Sequence, residues 1–154
     1  MSEKQSLWTI KEIAAATGGK TAADGDVTGI SIDSRSLVEG DLFVALQGDI
    51  ADGHDYITQA QDKNAAALLV SKDVQADNAI IVDDTLTALE QLGAASRDRS
   101  DALRIGVTGS AGKTGTKEML GIVFSAFGKT HTSVKSYNNH FGVPLTLARM
   151  PQDS

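Results

Sequence analysis

The chain contains no cysteine, and its three histidines are widely scattered. Without cysteine it forms neither disulfides nor thiolate metal sites. His54, His131 and His140 offer no ligand spacing for zinc. Long apolar runs are also lacking, since the first residues show no signal-peptide pattern and no segment is long enough to span a bilayer. We therefore expect a cytoplasmic protein without a membrane partner.

A basic excess is lacking too, which argues against a general nucleic-acid binder. The net charge is −6, and residues 1–101 hold 8 Lys and Arg against 18 Asp and Glu. Residues 102–154 reverse this balance with 6 basic and 2 acidic residues. The basic second part suits a small polyanion such as ATP, and solvated surface charges would produce the same numbers.

Short apolar strands alternate with helical patterns, which indicates an α/β architecture. Thr9 and Glu12 have the spacing of a capping box, and the helix that follows stops at Gly18. Further strands are predicted at residues 27–33, 42–46, 65–70 and 79–82, and further helices at residues 54–63, 85–97, 113–127 and 145–150. The helix at residues 113–127 has so wide an apolar stripe that we expect burial on most sides.

A glycine-rich turn between an apolar run and a helical pattern is the most informative stretch. It reads Ile105-Gly-Val-Thr-Gly-Ser-Ala-Gly-Lys-Thr114, and residues 105–107 are predicted as a strand. In such a turn, glycines let backbone N–H groups approach an anion, and the next helix adds the positive end of its dipole. Lys113 would reach terminal phosphates, and the Thr114 hydroxyl would bind Mg²⁺. A purely structural turn is the competing interpretation, but the Lys-Thr pair favours a nucleotide site.

Other polar residues leave alternatives open. Ser34 and Arg35 suit a diphosphate or a uracil edge, but a surface ion pair is at least as good an interpretation. Asn138 and Asn139 either bond phosphate oxygens or turn the chain.

Two further candidates have simpler interpretations. Asp83 and Asp84 end a strand, as metal-binding acids of P-loop enzymes do. They precede both the glycine loop and a helix, so we interpret them as helix-capping residues. His54 follows Asp-Gly and is interpreted as a residue at a helix start.

Several stretches together resemble the Mur ligase family. The resemblance covers about residues 25–150 and rests on Asp33-Ser-Arg35, Gly40-Asp-Leu-Phe-Val-Ala-Leu-x-Gly48, Asp52-Gly-His54, Thr108-Gly-Ser-x-Gly-Lys-Thr114, Lys117-Glu118 and Asn138-Asn-x-x-Gly-x-Pro-Leu-Thr146. A standard P-loop has glycine where this chain has Val107, and the shortened loop is similar to that of the Mur and folylpolyglutamate ligases. The chain is most similar to the members that join D-alanyl-D-alanine to UDP-N-acetylmuramoyl-tripeptide.

The resemblance implies a cytoplasmic ligase of peptidoglycan precursor synthesis that uses ATP and Mg²⁺ and is monomeric when complete. ATP would phosphorylate the tripeptide carboxylate, and the amine of D-alanyl-D-alanine would attack the acyl phosphate. The residues that the resemblance places around the ATP phosphates are Gly109, Ser110, Ala111, Gly112, Lys113, Thr114, Asn138 and Asn139. It also makes Lys113 the catalytic charge stabiliser, Thr114 the metal ligand, and Ser34 and Arg35 part of the UDP site.

The expected organisation is a small mixed α/β domain for the UDP substrate at residues 1–83, then a connecting helix at residues 84–101. Residues 102–154 would begin a P-loop, parallel-sheet ATPase domain. Only one of its strands is clear, whereas such a domain needs several. We therefore expect a fragment that does not complete ligation alone. The alternatives are a ligase that adds a diamino acid and a non-catalytic nucleotide- or UDP-sugar-binding module.

Overall fold

Strands and helices alternate along the chain, which confirms the α/β class. The structure is a computed structural model that describes residues 5–134 and 140–154. Its elements in chain order are β1 (Trp8–Thr9), α1 (Ile10–Thr17), β2 (Asp26–Val27), β3 (Gly29–Ser31), β4 (Asp41–Val44), a 3-10 turn (Gly53–Tyr56), α2 (Ile57–Asp62), β5 (Ala67–Val70), β6 (Ala79–Ile81), α3 (Thr85–Asp98), α4 (Lys113–Ser125) and α5 (Gly142–Ala148).

The central sheet has four parallel strands in the order β3-β4-β5-β6. A separate antiparallel pair joins β1 and β2, with Trp8 opposite Val27. Helices cover both faces of a parallel sheet, and accordingly every residue of β4 and β5 is buried. Successive residues of β4 enter different cores: Leu42 and Val44 lie with α1 and α3, whereas Phe43 lies with α2.

Two helices begin as their sequences predict. The capping box of α1 is confirmed, because the Thr9 hydroxyl accepts the Glu12 N–H at 3.2 Å and the Thr9 N–H donates to the Glu12 carboxylate at 2.7 Å. At the start of α3 the Asp84 carboxylate accepts the Thr87 N–H at 2.7 Å, which confirms Asp84 as the N-cap. This bond lowers the pKa of Asp84 because it favours the charged carboxylate.

Helix α5 packs on α3 within the same core as β1 and the central strands. Leu89 and Leu92 of α3 are fully buried together with Leu145 and Ala148 of α5. The helices approach closely at Gly93, where an added Cβ would lie 3.0 Å from the Pro144 carbonyl oxygen. Because of these contacts, residues 142–148 share a core with the first half of the chain.

Two expectations for residues 102–134 are wrong in this structure. Residues 105–107 belong to no strand, and α4 has no buried residue, so that Ile122 and Phe127 are 75% and 86% exposed. A strand requires a hydrogen-bonded neighbour, and an apolar helix face requires a sheet to cover it. The described residues supply neither of them here. The domain limits at residues 83 and 101 stay predictions.

No helix within residues 5–134 and 140–154 combines the length and the hydropathy needed to cross a bilayer.

Candidate functional site

The glycine loop has the backbone geometry of an anion site. Gly112, the N-cap of α4, has a φ of 77°, and Gly109 has a φ of 154°. Side-chain-bearing residues rarely adopt such angles, so glycine is needed for the conformation itself. At Gly112 an added Cβ would meet nothing within 4 Å, which shows that the requirement comes from the torsion angle and not from crowding.

The first turn of α4 faces the loop. Gly112 provides no side-chain cap, and its carbonyl accepts the Thr116 N–H at 3.0 Å. A glycine cap leaves room in front of a helix, where the N–H groups of the first turn and the helix dipole attract an anion.

Lys113 and Thr114 occupy this first turn together. The Lys113 ammonium donates to the Gly109 carbonyl and so lies across the loop. Thr114 is exposed beside it. The structure therefore brings backbone donors, one cation and one hydroxyl to the same place, a combination that can bind a phosphate group and offer one oxygen to a hard cation.

A Mg²⁺ ion fits this donor set only if phosphate oxygens and water provide most of its ligands. In the part of the chain that the structure describes, no group of three or more His, Asp or Glu side chains could hold a metal. Mg²⁺ commonly uses one or two protein oxygens and completes its shell with phosphates and water. The exposed Thr114 hydroxyl is compatible with that arrangement.

A cleft of about 580 Å³ opens beside the loop and carries positive charge. Its lining includes Arg104, Lys113, Lys117 and Lys129, and none of the described residues that line it is Asp or Glu. Because like charges line it without an acidic residue, the cleft suits an anion.

Two hydrogen bonds hold the far wall of this cleft. The Lys117 ammonium donates to the Ser133 carbonyl at 2.9 Å, and Nε2 of His131 bonds the Thr146 carbonyl at 2.8 Å. Burial lowers the pKa of His131, since the cation loses solvation there. These bonds connect residues 131–133 to both α4 and α5.

The predicted UDP residues lie after β3. Arg35 forms a fork to Asp33 with N–O distances of 3.0 and 2.8 Å, and its side chain is 85% exposed. Ser34 is buried, and its hydroxyl donates to the Gln59 side-chain oxygen at 2.5 Å. Among the hydrogen bonds within residues 5–134 and 140–154, none joins Ser34 or Arg35 to the glycine loop. Their contact with UDP stays a prediction, and the surface ion pair that the sequence left open is present.

Asn138 and Asn139 lie outside the described residues.

Asp52, His54, Ser71 and Lys72 form a hydrogen-bonded cluster near the ends of β4 and β5. His54 is nearly buried: its Nδ1 lies 2.5 Å from the Asp52 carboxylate, and its Nε2 accepts the Ser71 N–H at 3.0 Å. Lys72 pairs with the same carboxylate and, with the His54 N–H groups, holds the pKa of Asp52 well below its usual range. His54 lies in the 3-10 turn with Asp52 as N-cap, which confirms its interpretation as a helix-start residue.

Sequence reasoning missed Arg104 and Lys72. Arg104 bonds the end of α3, and Lys72 bonds Asp52, which lies 20 positions earlier. Their partners are set by tertiary packing, so no motif in the sequence marks them.

Known proteins resemble this chain in sequence. A family model described as "Mur ligase family, catalytic domain" matches residues 26–123, and another, "Mur ligase middle domain", matches residues 107–154. The UDP-N-acetylmuramoyl-tripeptide–D-alanyl-D-alanine ligase of Synechocystis is 39% identical over 99% of this chain and 35% of its own length. The corresponding Bacillus subtilis ligase is 38% identical over 95% of this chain and 34% of its own length. The chain thus spans about a third of such relatives.

Solved structures of ligases from the same family have a similar fold. MurF from Acinetobacter baumannii has a TM-score of 0.83 at 33% identity, over 98% of this chain and 35% of its own. MurF from Thermotoga maritima, in complex with ADP, has a TM-score of 0.64 at 31% identity, over 79% of this chain and 29% of its own.

Proposed function

Because the chain belongs to the Mur ligase family, we propose that it provides the phosphate-binding loop of an ATP-dependent, ADP-forming carboxylate–amine ligase. The observation that carries this proposal is the geometry at Gly112. This residue is the N-cap of α4 and has a left-handed conformation, and Lys113 and Thr114 lie in the first turn that follows it. The reaction would join D-alanyl-D-alanine to UDP-N-acetylmuramoyl-tripeptide in peptidoglycan synthesis. This substrate pair is taken from the names of the relatives from Synechocystis and Bacillus subtilis.

In this proposal, ATP would supply the phosphoryl group that activates the tripeptide carboxylate and would leave as ADP, and attack by the dipeptide amine would release phosphate. The chain itself binds and orients. Backbone N–H groups of residues 109–112 hold the phosphates, and the Lys113 ammonium exchanges the Gly109 carbonyl for the transferred group, whose charge it stabilises. The Thr114 hydroxyl provides one ligand to Mg²⁺.

The remaining assignments belong to the same proposal. Ser34 and Arg35 contribute to the UDP site, and Asn138 and Asn139 lie near the phosphates. Arg35 is exposed beside Asp33 and can exchange partners, whereas Ser34 must rotate away from Gln59 to meet a substrate. We also propose that residues 102–154 begin an ATPase domain, that the complete enzyme is a cytoplasmic monomer, and that neither nucleic acid nor membrane is a partner.

A diamino acid ligase is the second candidate. A 2,6-diaminopimelate ligase of Bacillus licheniformis is 41% identical, but over 68% of this chain and 22% of its own length. The D-alanyl-D-alanine ligases match nearly the whole chain, which favours the dipeptide. A self-contained binding module is disfavoured, because a large exposed apolar face such as that of α4 is unusual in one.

Nucleotide binding tests the proposal. We expect the chain to bind ADP with Mg²⁺ in a calorimetric titration, and Lys113→Met to weaken this binding at least roughly tenfold, because a charge-assisted contact is lost. Lys11→Met is the matched control, since Lys11 is exposed and pairs with Asp24. Equal affinities of the two variants, or no binding by the unmodified chain, would contradict the proposed site.

Ligation is tested by supplying each amine donor to the complete gene product with the matching UDP-linked peptide. Turnover with D-alanyl-D-alanine supports the first candidate, and turnover with a diamino acid supports the second. The 154-residue chain alone is expected to bind nucleotide without forming product.

A further inference from the structure

The side chain of Arg104 closes the C-terminal end of α3. Its Nη1 donates to the carbonyls of Arg97 and Ser100 at 3.0 and 3.1 Å. Carbonyls at the end of a helix lack intrahelical donors, and a cation there also offsets the negative end of the dipole. Arg104 therefore contacts the helix end in two ways: through hydrogen bonds to its carbonyls and through the attraction of its charge to the helix dipole.

Residues 102–108 connect this helix end to the glycine loop. In the part of the chain that the structure describes, their hydrogen bonds are those of Arg104 and one from the Ala102 N–H to the Ser100 hydroxyl at 3.2 Å. Packing adds little restraint, since Leu103 is 80% exposed and Ile105 is 50% exposed. The direction in which the chain leaves α3 thus depends on the Arg104 contact.

The same end of α3 also holds Met150, another residue that lines the cleft. The Ser96 hydroxyl and the Arg99 guanidinium both donate to the Met150 carbonyl at 3.4 Å. Arg104 and Met150 both line the cleft beside the loop. The end of α3 therefore holds two segments that line the cleft.

We propose that Arg104 is a positioning residue for the phosphate loop, an inference that rests on the nucleotide-binding function proposed above. Gly109 follows Arg104 by five residues, and an extended chain spans at most about 3.5 Å per residue. A change of direction at Arg104 therefore moves the loop by several ångströms relative to α3. Arg104 acts on the loop through α3, because its Nη1 is bonded to the Arg97 and Ser100 carbonyls.

Variants of Arg104 test this role through nucleotide affinity. We expect Arg104→Gln to raise the Kd of the 154-residue chain for ADP with Mg²⁺ about fivefold, because the two hydrogen bonds from the guanidinium to the end of α3 are lost. Arg104→Lys keeps a cationic donor and should recover part of the affinity. Arg97→Gln is the matched control, since it removes a neighbouring exposed charge whose only described ion pair is with Asp98 at 3.7 Å. The titrations are run far below the unfolding temperature, where a loss of stability alone does not change the Kd.

Wild-type affinity in Arg104→Gln would overturn the inference, and so would an equal loss in Arg97→Gln. A second readout needs no nucleotide. The ¹⁵N heteronuclear NOE of residues 105–109 should fall in Arg104→Gln and stay unchanged in Arg97→Gln, because the tether to α3 is lost in the first variant alone. If the unmodified chain binds no nucleotide, the proposed function fails, and unchanged NOE values would still refute the role of Arg104 by themselves.

Discussion

The indole N–H of Trp8 donates to the backbone carbonyl of Ala148 at 2.9 Å, across 140 positions of sequence. The Arg99 guanidinium lies 3.4 Å from the centroid of the same ring, and its Nη2 donates to the Met150 carbonyl. Trp8 of β1 and Arg99, the residue after α3, therefore donate to the carbonyls of Ala148, the last residue of α5, and of Met150, which follows it. These contacts of Trp8 and Arg99 hold α5 against the part of the chain that folds around the parallel sheet.

Trp8→Phe should destabilise the protein by about 1–3 kcal/mol. The substitution leaves the buried Ala148 carbonyl without its donor, and a buried unsatisfied acceptor carries its full desolvation cost. Urea unfolding followed by circular dichroism measures the loss. Tyr56→Phe is the control, because it also removes a polar group from an aromatic ring, but at an exposed position. Equal stability of the two variants would contradict a stabilising role for the Trp8 bond.

Alanine at Gly93 and at Gly115 should have opposite effects. Gly93→Ala places a Cβ 3.0 Å from the Pro144 carbonyl oxygen, and we expect it to cost about 1–3 kcal/mol by separating α3 from α5. Gly115→Ala meets nothing within 4 Å and should stabilise α4 by up to about 1 kcal/mol through helix propensity. Thermal unfolding of both variants is the measurement, and shifts of the same sign would refute the close approach of the two helices.

Gly112→Ala should weaken nucleotide binding. Alanine pays about 1–2 kcal/mol for the left-handed conformation that Gly112 adopts at φ 77°, so we expect roughly a tenfold rise in the Kd for ADP with Mg²⁺. Gly128→Ala provides the control, since its added Cβ also meets nothing within 4 Å and its φ is not positive. Unchanged affinity in Gly112→Ala would mean that the loop binds in another conformation.

Stability should fall in mild acid because of His131. Burial lowers its pKa below the ordinary value of 6.5, so between the folded and unfolded values the unfolded chain binds more protons. The contribution of His131 is complete above about pH 6.5 and is lost as the pH falls through the lowered value. His131→Gln keeps an N–H donor for the Thr146 carbonyl but does not titrate. Unfolding temperatures measured from pH 8 to 5 should decline less steeply in this variant, and an unchanged slope would exclude His131 as the cause.

Features built from neighbouring residues were predicted well. The Thr9–Glu12 capping box, the Asp84 N-cap and the start of α4 at Lys113 each depend on groups within about one helical turn. Such signals survive in any tertiary context because both partners are close along the chain.

Two predictions that depend on contacts with residues distant in sequence are wrong. The apolar pattern of residues 105–107 predicts a strand, and the apolar stripe of α4 predicts a buried face. Within residues 5–134 and 140–154, residues 105–107 pair with no strand and α4 is covered by no sheet, because the central sheet is built entirely from residues 29–81. Apolar periodicity reports what a segment can bury, and the surrounding chain decides whether it is buried.

The sequence by itself determined the α/β class, the family and the loop that opens α4, because backbone torsions and short-range hydrogen bonds specify a glycine turn locally. Only the tertiary structure decided that the Ser34 hydroxyl faces Gln59, that Arg104 caps α3 and that α5 packs against Trp8. Those contacts join residues whose pairing depends on how the sheet and helices are stacked. Closing such long loops costs entropy, which the shared apolar core offsets.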